Sequence, residues 1–222
     1  MSFIINPFQF SSATPQLLNE QFEAPGATGW VTSSVAPQAP WNDQYATAPA
    51  PIAGSYSCQI ASAATARINA YKNFTATGSC YLRFRFYYIT ASGGNGTLCT
   101  LRDASGTIVA SLGLASTSNI FRVSIGAGGA TNSVTAPAAN TLLYGWLEYV
   151  KGTGSNAIAR AGWTTTGARP SWPTSGASGS LVAQINGTAT ADAARVMFGT
   201  NASLINYNIV IDDIQIQATP FA

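Results

Sequence analysis

The chain has 222 residues, 46% of them hydrophobic, which is enough for one sizeable β domain and excludes compositional disorder. Only 8% are charged, against roughly 25% in ordinary soluble domains, so Ser, Thr, Asn, Gln and Gly must build most of the polar surface. Ten cations and eight acids are scattered without a Lys/Arg run, and histidine is missing; this argues against nucleic-acid binding and removes the commonest general base and metal ligand.

In chain order, residues 1–16 read as a distinct N-terminal arm. Phe3, Ile4, Ile5, Phe8 and Phe10 are apolar, and Asn6-Pro7 enforces an extended or turn backbone. Two roles stand open for it: an edge strand of the chain's own sandwich, or docking onto a neighbouring subunit, as apolar patches do. The arm lacks the basic start and long apolar centre of a signal peptide. No window has the length of a membrane span.

From Leu17 to the end, short strand-like runs alternate with Gly, Asn, Ser and Pro turns, the pattern of an all-β, two-sheet antiparallel sandwich. Strands are expected at 54–62, 66–74, 81–90, 96–101, 108–114, 120–125, 142–150, 157–164, 195–200 and 208–217. The run 81–90 alternates most clearly. Leu82, Phe84, Phe86 and Tyr88 face one way as core, and Tyr81, Arg83, Arg85 and Tyr87 face the other as a shelf of rings and guanidinium groups. A second sheet or a subunit is the expected cover of that shelf.

The segment 102–107 (Arg-Asp-Ala-Ser-Gly-Thr) reads as a hairpin turn, with Asp103 and Gly106 supplying the turn chemistry. In the last strand Ile209 and Ile211 have one parity and Ile214 and Ile216 the other, with Asp212-Asp213 between. Either both faces are buried or a bulge at the aspartates shifts the phase and re-aims one of them. Residues 36–53 and 164–180 read as long loops, the usual place for binding function at the rim of a sandwich. Cys58, Cys80 and Cys99 fall inside strands and read as small buried hydrophobes.

Six landmarks in this order resemble the concanavalin A-like lectin and laminin-G-like jelly-roll superfamily. They are Asn19-Glu-Gln-Phe-Glu23 with Gly29-Trp30, Gly54-Ser-Tyr-Ser57, Tyr81-Leu-Arg-Phe-Arg-Phe86, Trp146-Leu-Glu-Tyr149, Phe198-Gly199 and Asp212-Asp-Ile-Gln-Ile216. Carbohydrate-binding modules of the related jelly-roll type share the opening and closing signatures. The arm is similar to the starts of some tailed-bacteriophage virion proteins. Together these resemblances imply a jelly-roll domain spanning 17–222 in a virion structural protein, of the capsid-decoration, head-fibre or tail-fibre type. Its partners would be other virion proteins through the arm, glycans on cell surfaces or in the environment, and further copies of itself. It would be assembled in the host cytoplasm. The low charge agrees with life in an assembly or on an exterior that meets sugars. A free carbohydrate-binding module or lectin is the alternative, and a glycoside hydrolase the remote one.

Glycoside hydrolysis needs two carboxylates about 5 to 9.5 Å apart, and no strand here carries alternating acids. Glu148 is alone in its segment and is expected to partner Lys151 or a nearby Arg. Without histidine the usual serine or cysteine triad is excluded, so no catalytic residue is assigned.

In jelly rolls similar to this one, an acid near the first strand and one near the last can meet around calcium. The resemblance therefore makes Glu23, Asp212 and Asp213 candidate ligands of a structural Ca²⁺ ion. The plain reading is an Asp-Asp pair that caps a turn or accepts from Arg. Sugars are gripped by aromatic rings with Asn, Asp and Arg around them. Trp41, Asn42, Asp43 and Tyr45 form one candidate cluster, and Trp163, Arg169 and Trp172 another. The alternative for these tryptophans is cover for the sandwich ends or a subunit contact. Trp30 and Trp146 are expected in the core. The Asn-x-Ser/Thr triplets at Asn73, Asn95, Asn186 and Asn201 read as turn residues.

Overall fold

The computed structural model describes residues 16–23, 29–33, 41–45, 52–62, 68–92, 95–115, 120–126, 131–135, 137–138, 140–173, 181–200 and 206–222. These contain strands and no helix. In chain order the strands are β1 (Gln16–Glu20), β2 (Val31–Ser33), β3 (Trp41–Tyr45), β4 (Ser57–Ser62), β5 (Ile68–Thr77), β6 (Ser79–Ser92), β7 (Asn95–Arg102), β8 (Ile108–Ala115), β9 (Ile120–Ile125), β10 (Thr131–Thr135), β11 (Thr141–Val150), β12 (Gly152–Thr164), β13 (Val182–Ala189), β14 (Ala193–Thr200) and β15 (Asn206–Gln217).

They form two antiparallel sheets packed as a sandwich, as the alternation predicts. The first sheet runs β13-β12-β11-β6-β15-β4-β3, with β1 added beside β15. The second runs β10-β9-β8-β7-β14-β5-β2. The chain changes sheet repeatedly, so about half of the strand pairings join elements distant in sequence, among them β6–β11, β6–β15, β1–β15 and β7–β14.

The core lies between the inner faces. Leu82, Phe84 and Phe86 of β6 meet Phe121 and Val123 of β9, Leu112 of β8 and Phe198 of β14, all fully buried. A file of rings links the layers: Phe22 to Trp30 at 6.1 Å, Trp30 to Phe198 at 6.1 Å, Phe198 edge-on to Phe84 at 5.0 Å, Phe84 to Phe86 at 5.6 Å and Phe86 to Phe121 at 6.4 Å. Such contacts add about 0.5–1.5 kcal/mol each beyond burial. Cys58, Cys80 and Cys99 are buried and in no disulfide, and burial drives the Cys80 and Cys99 thiols far above their ordinary range. They are inert packing groups.

The hairpin at 102–107 forms as expected. Asp103 and Thr107 close it through Asp103 N–H to Thr107 O at 2.9 Å, and Asp103 Oδ1 accepts from Thr107 N–H at 2.8 Å. Gly106 takes φ +92°, open to glycine alone at low strain. The phase problem in β15 is resolved by a bulge. The register slips between Asp212 and Gln215, Asp213 has φ +47°, and all four isoleucines reach the core.

Four expectations need correction. Residues 41–45 are not loop: they pair with β4 as an edge strand, whose backbone register demands no apolar alternation. β10 and β13, rich in Thr, Asn, Ser and Gly, were too polar to read as strands, yet each is a ladder member beside an apolar neighbour. Asn73 and Asn186 lie inside strands rather than turns. Trp146 is fully buried but on the outer face of the first sheet, not in the core. The arm residues Phe3, Ile4, Ile5, Phe8 and Phe10 lie outside the described residues, and Gln16 already belongs to β1.

Gly145 of β11 stands opposite Phe84 of β6, and a Cβ there would land on the Phe84 ring. Gly145→Ala should therefore overpack the core and lower stability by about 1–3 kcal/mol. Chemical denaturation followed by circular dichroism measures it, and an unchanged midpoint would show that Phe84 is free to move.

Candidate functional site

Side chains alternate along every strand, so the apolar file that fills the core commits the intervening residues to the outer face. On the first sheet that face is built from Tyr81, Arg83, Arg85 and Tyr87 of β6. Beside them lie Leu142, Tyr144, Trp146 and Glu148 of β11. Arg160 of β12, Gln184 and Asn186 of β13, and Asp212 and Gln215 of β15 complete it. The β6–β11 register sets Tyr87 against Leu142, Arg85 against Tyr144, Arg83 against Trp146 and Tyr81 against Glu148. The expected shelf exists, and no second sheet of the described residues covers it. Its cover among the described residues is the segment 165–173 and the chain end 218–222.

Glu148 is almost completely buried there, with arginines on two sides. Arg169 grips it bidentately, Nε to Oε1 at 2.6 Å and Nη2 to Oε2 at 2.8 Å, and Arg160 Nη1 reaches Oε2 at 3.4 Å. Arg160 Nε donates to Gln184 Oε1 at 2.7 Å, and Gln184 Nε2 passes the chain to Asn186 Oδ1 at 2.9 Å. The hydrogen bonds from Arg169 to Glu148 raise the guanidinium pKa further. Lys151, the other expected partner, pairs instead with Asp192 at 2.6 Å.

Tyr81 lies under Arg169, whose Cζ is 6.0 Å from the ring. Burial first, then the Glu148 charge, pushes its phenol pKa up, so the phenol keeps its proton near neutral pH. Arg83 donates to Gly167 O at 2.9 Å and to Gln215 Oε1 at 2.7 Å, under the Phe221 ring at 4.8 Å. Phe221 also meets Trp146 edge-on at 5.8 Å, and Trp146 Nε1 donates to Thr164 Oγ1 at 2.8 Å. Arg85 pairs with Asp213 at 3.2 Å beside Tyr144, and its buried Nε has no hydrogen-bond partner. The face is thus a firm floor of rings, guanidinium groups and amides, with Leu142 as its exposed apolar spot.

The second candidate sugar cluster is drawn apart by strand parity. Trp163 points inward from β12, packs against the core and donates Nε1 to Thr135 O at 2.7 Å. Arg169 crosses to the outer face and is committed to Glu148. Trp172 is half-buried, with its buried Nε1 unpartnered. Trp41, Asn42, Asp43 and Tyr45 form β3, and their side chains lie outside what the structure describes.

Glu23 and Asp212 both bind the segment 52–57 that leads into β4. Glu23 accepts from the N–H groups of Ser55 at 2.9 Å and Tyr56 at 3.3 Å, and a Cβ on Gly54 would land on its carboxylate. Asp212 accepts from Ala53 N–H at 3.2 Å, Ser57 Oγ–H at 2.9 Å and its neighbour Asp213 N–H at 2.8 Å. Calcium needs six to eight oxygen ligands. Here the carboxylates face protein donors, Asp213 faces an arginine, and among the described residues no three Asp, Glu, Cys or His side chains gather as a ligand set. The donor set does not fit the ion, and the two acids act as clamps on a loop.

No protein-family model and no curated protein sequence matches this chain. Solved structures share its fold. A cellulose-induced protein, Cip1, is 17% identical over 92% of this chain and 99% of its own, with a TM-score of 0.61. The CBM2 module of the evolved Dit of Lactobacillus casei BL23 phage J-1 is 14% identical over 93% and 97%, with a TM-score of 0.56. An endo-β-1,4-glucuronan lyase from the fungus Trichoderma reesei is 9% identical over 92% and 96%, with a TM-score of 0.53. This is a shared β-sandwich architecture. At such identities it fixes the fold and leaves the chemistry to the residues.

Two predictions follow from the clamps. Glu148→Gln weakens three charge-assisted contacts in a buried setting and should lower stability by about 2–4 kcal/mol in urea unfolding; a neutral result would mean the arginines turn to solvent without penalty. Burial pushes the Asp212 carboxyl from an ordinary 3.8 up to about 6. The folded chain thus holds a proton that the unfolded chain has released, so this group's stabilisation is present near pH 4 and lost as pH rises through 6, by about 3 kcal/mol at most. Asp212→Asn should flatten that decline between pH 4 and 7, and parallel stability–pH curves for the two proteins would contradict it.

Proposed function

We propose that this chain is a non-catalytic glycan-binding jelly roll carried on a virion, fixed to the particle by its N-terminal arm. The observation that carries the binding role is the outer face of the first sheet. Tyr and Phe rings, arginines and amides are held there on a rigid ladder, and rings that stack on sugar C–H faces beside hydroxyl-binding amides are what saccharides require. The surface chemistry agrees, since a chain with 8% charged residues must present hydroxyls and amides to its surroundings. Two of the fold neighbours point the same way by name, one a module of a phage Dit and one a lyase acting on glucuronan.

Catalysis is a weaker reading of the same face. Glu148, its buried acid, is neutralised by two arginines. A lyase base must have lost its proton at the working pH, and Tyr81 is shifted toward keeping it. Incubation with uronate polymers should yield no ultraviolet-absorbing unsaturated ends.

Glycan-array binding by the intact chain tests the proposal. Tyr144→Ala or Trp172→Ala should weaken a positive signal at least tenfold, about 1.4 kcal/mol, with thermal stability little changed. A blank array sinks the binding role. Deleting residues 1–10 should abolish incorporation into particles and leave a folded domain. Normal incorporation would favour a free carbohydrate-binding module.

A further inference from the structure

Strand parity also creates an unbalanced charge cluster on the outer face of the second sheet. Arg195 of β14 and Arg102 of β7 are direct cross-strand partners, the neighbouring Val196–Leu101 pair being buried in the core. Like charges set opposite each other on a ladder destabilise it. The repulsion registers at Arg102, whose guanidinium pKa is pulled down by burial and by Arg195.

No carboxylate relieves this pair: neither arginine forms an ion pair among the described residues. Asp103, in the adjoining hairpin, is turned onto Ser105 Oγ at 2.6 Å and Thr107 N–H, and Asp192 is held by Lys151. Neutral groups fix the two side chains instead. Arg102 donates Nε to Thr100 Oγ1 at 3.1 Å and Nη1 to Gly106 O at 2.7 Å. Arg195 donates Nε to Asn73 Oδ1 at 2.8 Å and lies 4.2 Å from the Tyr71 ring centre.

This bracing orients both forks while leaving the Arg195 Nη groups and Arg102 Nη2 without an acceptor among the described residues. The two guanidinium groups converge on Gly106, where a Cβ would stand 3.2 Å from Arg195 Nη1. Beside them lies a depression of about 280 Å³ lined by Asn73, Phe74, Ala76, Ala104, Ala194 and Arg195. It is close to the lower end of small-molecule pockets, about 300 Å³, and its walls are mostly apolar.

We propose that Arg102 and Arg195, with Tyr71 and Asn73, form an oxyanion-binding site for an acidic sugar. A carboxylate or sulfate meets the paired forks, and the ring lies against Phe74 and the alanines. Two pre-oriented guanidinium groups match planar or tetrahedral oxyanions through several parallel N–H···O bonds. The ligand supplies the negative charge that the fold withholds, so the repulsion between the arginines becomes binding energy. The site is on the opposite sheet from the face described above and does not depend on it.

Isothermal titration and thermal unfolding of the full chain with sodium glucuronate, sodium sulfate and glucose, at matched ionic strength in chloride, test it. At least one anion should bind and raise the melting temperature, while glucose does neither. A response to glucuronate alone assigns a carboxylate, and one to sulfate alone a sulfate ester. Arg102→Gln and Arg195→Gln should each weaken anion binding at least tenfold. Without anion both variants should melt no lower than the parent, because a like-charge pair has been removed. Tyr144→Ala, on the other sheet, should leave anion binding unchanged. The proposal is overturned if neither anion binds, if the arginine variants bind as the parent does, if both variants melt several degrees lower without anion, or if Tyr144→Ala abolishes anion binding.

Discussion

The last strand, β15, is the member on which the first sheet depends. It pairs with β6 along one edge, and along the other with β4 for residues 207–211 and with β1 for residues 214–217. A regular strand could not bury Ile209, Ile211, Ile214 and Ile216 on one face, because their spacing breaks the two-residue period. One extra residue at the aspartates restores the phase, and the edge passes from β4 to β1 at the same place. The segment 52–57 fills the junction, held by Glu23 just beyond the first strand and by Asp212 of the last. Beginning, middle and end of the chain are thus tied at one bulge by two carboxylates that accept mainly from backbone N–H groups.

Those clamps show how a chain so poor in charge uses it. Glu20 takes Lys72 at 2.8 Å and the Trp30 indole at 3.0 Å, Glu148 takes Arg169 and Arg160, and Asp213 takes Arg85. These acids are more than three-quarters buried and ion-paired, so they fix geometry at places where apolar packing could not specify a direction.

The two outer faces differ in kind. On the first sheet each arginine has a carboxylate, carbonyl or amide opposite it, and the chain end lays Phe221 over the centre. On the second sheet Arg102 and Arg195 stand side by side with only neutral supports. One face is largely satisfied within the molecule, and its recognition must use rings and amides. The other keeps donors unspent, a state that a fold sustains only where neighbouring packing is strong enough to hold it.

The sequence alone determined the class of fold, because alternation in 81–90, 120–125 and 208–217 leaves no helical periodicity and each period fixes which side chains go inward. It also determined the hairpin at Asp103–Gly106, the inert cysteines, the arginine–tyrosine shelf and the break in phase at Asp212-Asp213. These are local properties of a few consecutive residues. Tertiary structure decided what such windows do not contain: which strands become neighbours, and so that Arg169 crosses to Glu148, that Trp163 turns inward away from it, and that Trp146 lies beneath Phe221. Polar edge and ladder strands such as β3, β10 and β13 also escaped, since their strand character comes from partners far away in sequence. The pairing of Arg102 with Arg195 spans 93 positions, a separation that no pattern of composition or period encodes.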